Sequence, residues 1–151
     1  MRAIIAGSRD FSDYSYFKAY LAMLPPWVEI KEVVSGGARG PDTLAIRWAK
    51  EKNKACKIFN ADWDRLGKKA GPIRNAEMSV YADALVAFWD GQSSGTNHMI
   101  KLMIDKGAWT CVVRTDIPWN KEYTTHTHEF KTFKQPLLNN VTIYNPNART
   151  A

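Results

Sequence analysis

The sequence is poor in the residues that would build a disulfide frame or a metal centre. Among its 151 residues there are only two cysteines and three histidines. Cys56 and Cys111 both fall in apolar segments, where two buried, reduced thiols are expected. His126 and His128 stand two apart in T-H-T-H-E without companion ligands, and His98 is isolated, so no metal and no cofactor is expected. No apolar run approaches the roughly 20 residues of a membrane span, and Met1 leads at once into a short apolar run rather than a leader segment. The expectation is a cytoplasmic chain without a membrane partner. A long basic run is missing too. The net charge of +6 and a pI near 9.4 come from scattered lysines, at 50, 52, 54 and 57 and at 68 and 69. This favours anions as partners without distinguishing a polymer from a small phosphate.

What is present is one domain's worth of alternating apolar runs, 45% of the chain being hydrophobic. Ala84 to Phe88 is apolar throughout, as in a strand buried on both faces. It empties into Gly91, Ser93, Ser94, Gly95 and Thr96, after which Met99, Ile100, Met103 and Ile104 recur at helical spacing. Arg2 to Ala6 leads likewise into Gly7-Ser8-Arg9. Glu32 to Val34 leads into Ser35-Gly36-Gly37-Ala38-Arg39-Gly40, with Pro41 at a first helical position. The spacing predicts strands over 2–6, 30–34, 55–59, 84–89 and 110–114. It predicts helices over 14–24, 41–52, 72–81 and 96–106, with a polar loop over 60–71. Ile73, Ala76 and Val80 are expected to face the core. Such alternation implies a Rossmann-like three-layer α/β sandwich around a mostly parallel sheet of about five strands. The domain is assigned to 1–114. Residues 115–151, with a short strand near Val141–Tyr144, read as an irregular extension that wraps the domain or a partner and frays after Asn145.

Three strand–loop–helix units place three loops at the carboxyl edge of one sheet, where open α/β sheets bind ligands. Free N–H groups at helix starts suit phosphate. Glycines 7, 36, 37, 40, 91 and 95 permit close approach, and the hydroxyls of Ser8, Ser35, Ser93, Ser94 and Thr96 can donate. Arg9 and Arg39 can grip phosphate in bidentate fashion. Trp63 and Trp89 offer rings for stacking, whereas Trp27, Trp48 and Trp109 are assigned to core or interface. Asp42, Asn75 and Asp90 complete the candidate ligand-binding set. Arg74 at a first helical turn opposes the helix dipole, so an anion is expected to hold it, with Glu77 three residues on as its orienting partner.

Val33 to Ala45, V-V-S-G-G-A-R-G-P-D-T-L-A, resembles the S-G-x-A-R-G-I-D signature of the DNA-processing DprA (Smf) proteins. Arg74 to Thr96, R-N-A-E-M…A-D-A-L-V-A-F-W-D-G…S-G-T, resembles both DprA and the Lonely-guy phosphoribohydrolases, whose pattern is R-K-A-E-M…P-G-G-x-G-T-x-x-E. Together these mark the SLOG superfamily of Rossmann-like nucleotide-binding domains. The opening A-G-S-R-D-F, Ala6 to Phe11, is similar to its small stand-alone YspA-like members of bacteria and their phages. The resemblance spans about residues 1–114. It implies a nucleotide-derived ligand and pairing of subunits through helices beside the pocket. The apolar helix carrying Met99 to Ile104 and the tail aromatics Tyr123, Phe130, Phe133 and Tyr144 suit such a homodimer.

In the phosphoribohydrolases the arginine matching Arg74 serves catalysis and substrate grip. Here Met99 replaces the glutamate of G-T-x-x-E, and D-G-Q-S-S-G replaces P-G-G. Methionine neither stabilises a cationic sugar nor activates water. No catalytic residue is therefore assigned; were the chain an enzyme, Arg74 and Glu77 would be its candidates. The expected function is binding of an ADP-ribose-, cyclic-nucleotide- or mononucleotide-type molecule, to sense or sequester a signal, for example as an anti-defence sponge of a phage. The alternatives are an N-glycoside hydrolase and a DprA-like single-stranded DNA binder; the second is disfavoured because no basic and aromatic stripe accompanies the loops.

Overall fold

A computed structural model describes residues 1–118 and 138–146. Six strands form one sheet in the order β3-β2-β1-β4-β5-β6. They are β1 (Arg2–Gly7), β2 (Glu32–Ser35), β3 (Ala55–Ile58), β4 (Ala84–Trp89), β5 (Trp109–Arg114) and β6 (Val141–Tyr144). The first five run parallel, and β6 closes the far edge antiparallel to β5, with Val113 opposite Val141. The helices are α1 (Tyr14–Ala22), α2 (Pro41–Glu51), α3 (Trp63–Leu66), α4 (Ala70–Tyr81) and α5 (Ser94–Asp105).

Strand alternation feeds two apolar layers. Ile5, Val33, Val86, Phe88 and Val113 pack with Phe17 and Leu21 of α1 and Ala45 and Trp48 of α2. Ile4, Ala6, Val34, Leu85 and Ala87 pack with Met78 of α4 and Met99 and Met103 of α5. The chain is thus a three-layer α/β/α sandwich of Rossmann type. The central strands β1 and β4 are neighbours, yet the helices that follow them, α1 and α5, lie on opposite faces. Their loops part and open a crevice at the carboxyl edge.

The alternation over 2–114 forms as the spacing predicts, with ends that coincide or shift by one or two residues. Four details differ. Cys111 is buried, and burial pushes its thiol up to about 12, but Cys56 is exposed because β3 is the sheet edge. Trp27 is half exposed, its ring edge-on to buried Trp109. The expected loop over 60–71 holds α3, capped by Asp62, and a 3-10 turn over Gly67–Lys69. Finally, α4 starts two residues earlier and is rolled: Gly71, Asn75, Met78 and Ser79 face inward, whereas Ile73 and Val80 are exposed at 41% and 83%. His126, His128, Tyr123, Phe130, Phe133 and the stretch beyond Pro146 lie outside the described residues.

Candidate functional site

The crevice between the loops after β1 and β4 is a cleft of about 810 Å³, adjoined by a smaller one of about 430 Å³. Gly7, Ser8 and Arg9 enter the larger cleft from the end of β1, and Arg39 and Asp42 from the start of α2. Trp63 comes from α3, Arg74 and Asn75 from α4, and Asp90, Ser93, Ser94, Gly95 and Thr96 from the turn into α5. Gly36 and Gly37 line the smaller cleft instead. Ser35, Gly40 and Gly91 line neither. Lys68, Gly71, Met78 and Gln92, which the sequence did not single out for the site, also line the larger cleft, as do His98 and Met99, the residue at the position of the hydrolases' glutamate. For Met78 and Met99 helical periodicity was a usable signal, since each lies on the buried face of its helix; for Lys68 there was none.

Each loop is tied down before any ligand arrives. The Ser35 hydroxyl donates to the Asp42 carbonyl at 2.9 Å and accepts from the Gly37 N–H, so it is consumed by the loop rather than offered to phosphate. Gly40 has φ +84° at the start of α2, and a Cβ there would meet the Ser8 carbonyl at 2.9 Å. Ser8 accepts the Asp90 N–H at 3.0 Å, stitching the β1 loop to the β4 loop. Asp90 accepts the Gln92 and Ser93 N–H groups, which hold its carboxylate below the usual range. Trp89 donates its ring N–H to the Ser93 carbonyl, lies under Arg114 and lines neither cleft, so it supports the turn and is not a free stacking ring.

Arg74 is positioned differently from the expectation. It lies in the second turn of α4, away from the dipole end, and makes no ion pair with Glu77, which is exposed and lines neither cleft. Its guanidinium donates to the Gly36 carbonyl at 2.7 Å and to Asn75 Oδ1 at 3.1 Å. Gly36 is required for this: a Cβ there would stand 2.7 Å from both Arg74 Nη1 and Asp42 Oδ2. The glycine makes room for an arginine rather than for a phosphate. Half burial, with Arg9 nearby, lowers the pKa of Arg74 against the opposing pull of Asp42.

Asp42 is 5% exposed, and burial pushes its carboxyl up to about 6. The Ala38 N–H, Arg74, the Gly36 N–H and Arg9 pull the other way. Opposite, Ser93 starts α5 without a side-chain cap, its hydroxyl 3.2 Å from that of Thr96. A Cβ on Gly95 would meet nothing within 4 Å, so the first turn of α5 faces open space. Asn75 donates to the Gly95 carbonyl and contacts His98, fixing the edge of that turn. The exposed ring of Trp63 lies against Gly71, with the Arg9 guanidinium 5.9 Å from its centre. The arrangement can hold an anion between arginines and a helix start, over a floor of Met78 and Met99.

Among the described residues no group of three His, Cys, Asp or Glu is placed to hold a metal, and no helix is long and apolar enough to cross a membrane. The family model for the YspA, cpYpsA-related SLOG family matches residues 1–66, which carry the first two loops of the cleft. The chain is 39% identical over 109 residues to the Gene 61 protein of Mycobacterium phage D29, an alignment covering 66% of this chain and 86% of that protein. No solved structure matches significantly. The motifs, the sandwich and these likenesses agree that the chain belongs to the YspA-related SLOG family, whose membership points to binding or processing of a nucleotide-related molecule.

Proposed function

We propose that the protein binds a phosphate-bearing nucleotide derivative in the larger cleft and releases it intact, acting to sense or sequester it. One observation carries the reading: Arg9, Arg74 and the uncapped start of α5 line the same cleft, over an apolar floor. A helix start alone contributes ~0.3–1 kcal/mol toward an anion. Micromolar affinity needs about 8 kcal/mol, so converging arginines and ring contact with Trp63 are both needed. Release intact is supported by Met99, buried where the hydrolases carry glutamate, and by Asp90, whose carboxylate is occupied by its own turn.

A thermal-shift panel of AMP, ADP, ADP-ribose and cyclic AMP tests binding, and chromatography of the recovered ligand tests its fate. Stabilisation by at least one compound, lost in Arg74→Ala, is the expected outcome. A panel that leaves the melting temperature unchanged contradicts the proposal.

A hydrolase reading is favoured by one observation, the buried Asp42 carboxyl, which can hold a proton within the cleft. Multiple turnovers of base release that vanish in Asp42→Asn would establish it. A homodimer belongs to the same proposal. Met99, Ile100 and Met103 of α5 are taken up by the core, so of the two helices packed on this face it is α4 that offers large exposed apolar side chains to a second copy, at Ile73 and Val80.

A further inference from the structure

The turn into α5 brings Asp90, Ser93 and Thr96 to the larger cleft, yet its back is closed by Arg114, which lines neither cleft. Gly91, in the middle of that turn, has φ +79°, and the three atoms nearest to where its Cβ would stand all belong to the Arg114 guanidinium. Arg114 Cζ would be 2.7 Å away, so the arginine fills space that only glycine leaves open. The same guanidinium lies 5.2 Å from the centre of the Trp89 ring, whose N–H holds the Ser93 carbonyl. Asp116 clamps it in a bidentate pair, accepting from Nε at 2.7 Å and from Nη2 at 2.6 Å. The planar fork is thereby held in one orientation.

The backbone of Arg114 is fixed as closely as its side chain. Its N–H donates to the carbonyl of Asn140, directly before β6, at 2.8 Å, and the Asn140 side-chain amide donates to the Arg114 carbonyl at 3.2 Å. Asn140 is buried, and its side chain also bonds the Tyr20 hydroxyl of α1. Thr115, the next residue, donates its N–H to the Trp89 carbonyl at 2.9 Å. A line of contacts thus runs from α1 and β6 through Arg114 to Gly91 and Trp89, and ends at the start of α5. We propose that Arg114 is a positioning residue for the cleft: it braces the Gly91 turn from behind and sets where the start of α5 meets an anion, without touching the ligand. This rests on the reading that the larger cleft binds a nucleotide derivative. It brings β6, which lies beyond the residues matched by the family model, into the working of the site. A partly exposed ion pair such as Arg114–Asp116 adds little to stability, so the consequence of the brace is placement.

Amide hydrogen exchange, with calorimetric titration of AMP and ADP-ribose, tests the brace in wild type, Arg114→Ala, Arg114→Lys and Asp116→Ala. In Arg114→Ala the amides of 92–96 should exchange at least fivefold faster while those of β4 keep their rates. Whichever of the two compounds the wild type binds should bind that variant at least tenfold more weakly. Arg114→Lys keeps the charge and loses the fork, so its affinity should fall with that of Arg114→Ala. Asp116→Ala frees the guanidinium without removing it and should lie between wild type and Arg114→Ala. A melting temperature within a few degrees of wild type confirms that each variant folds. Unchanged exchange in the turn of both alanine variants, or full affinity in Arg114→Lys, overturns the positioning role while nucleotide binding stands. Failure of the wild type to bind either compound overturns the nucleotide reading instead, and the exchange rates still decide whether Arg114 braces the turn.

Discussion

Asp42 is the residue at which burial and charge disagree most. Its folded pKa, about 6, lies above its ordinary value of 3.8, so the native state holds the proton more tightly than the unfolded chain. The stability this contributes is fully present below about pH 4 and is lost as pH rises through about 6. Two units correspond to on the order of 2–3 kcal/mol. Asp42→Asn, which carries no charge to desolvate, should therefore melt several degrees above wild type at pH 8 and close to it at pH 4. Equal differences at both pH values would show that the carboxyl is not held in its neutral form. Neighbouring glycines divide by what their missing Cβ would strike. At Gly7 it would overlap the Phe88 carbonyl and stand 2.6 Å from Pro41, both fixed, so Gly7→Ala should cost upward of about 2 kcal/mol in denaturant unfolding. At Gly36 it would strike the ends of Arg74 and Asp42, which can move. Gly36→Ala should melt within a few degrees of wild type and still lose ligand affinity at least tenfold.

At the scale of elements, β4 was legible to the residue because a strand buried on both faces is apolar throughout. The turn into α5 was legible because small and hydroxyl residues between a strand and a helix have few other uses. The roll of α4 was not. Its apolar positions Ile73, Ala76 and Val80 recur at helical spacing, yet the inward face is Gly71, Asn75, Met78 and Ser79. Two long-range contacts decide this. Trp63 needs Gly71 beneath its ring, and Lys106 caps the end of α4 through the carbonyls of Ser79 and Ala82 at 2.6 and 2.5 Å. A single-helix period contains neither. The open space at Gly95 predicts that Gly95→Val folds with stability within about 1 kcal/mol of wild type. Its isopropyl group stands where an anion would approach α5, so the same variant should bind nucleotide at least tenfold more weakly. Full binding by Gly95→Val would remove the α5 start from the site.

At the scale of the whole molecule, the parallel sheet and its switch point follow from the order of strands and helices, which apolar periodicity reveals. The cleft lies where that topology requires. Its contents were only partly legible: the loops named the glycines, but Gly36 serves Arg74, Ser35 serves its own loop, and Glu77 points away. Side-chain partners across 38 residues, as between Arg74 and Gly36, leave no trace in local spacing. The exposed Ile73 and Val80 predict a dimer of twice 17.1 kDa in light scattering. Val80→Lys should shift it toward monomer without altering the melting temperature by more than a few degrees, and a wild-type monomer at micromolar concentration would contradict the pairing.

The proposed role of the arginine-lined cleft at the carboxyl edge is to bind a phosphate-bearing nucleotide derivative. Calorimetric titration of ADP-ribose into wild type and Arg74→Ala, side by side, tests it most directly. Saturable one-to-one binding by the wild type and at least tenfold weaker binding by a folded Arg74→Ala is the expected result. Undiminished affinity in the variant, or no heat of binding in the wild type with AMP and ADP equally silent, would contradict it.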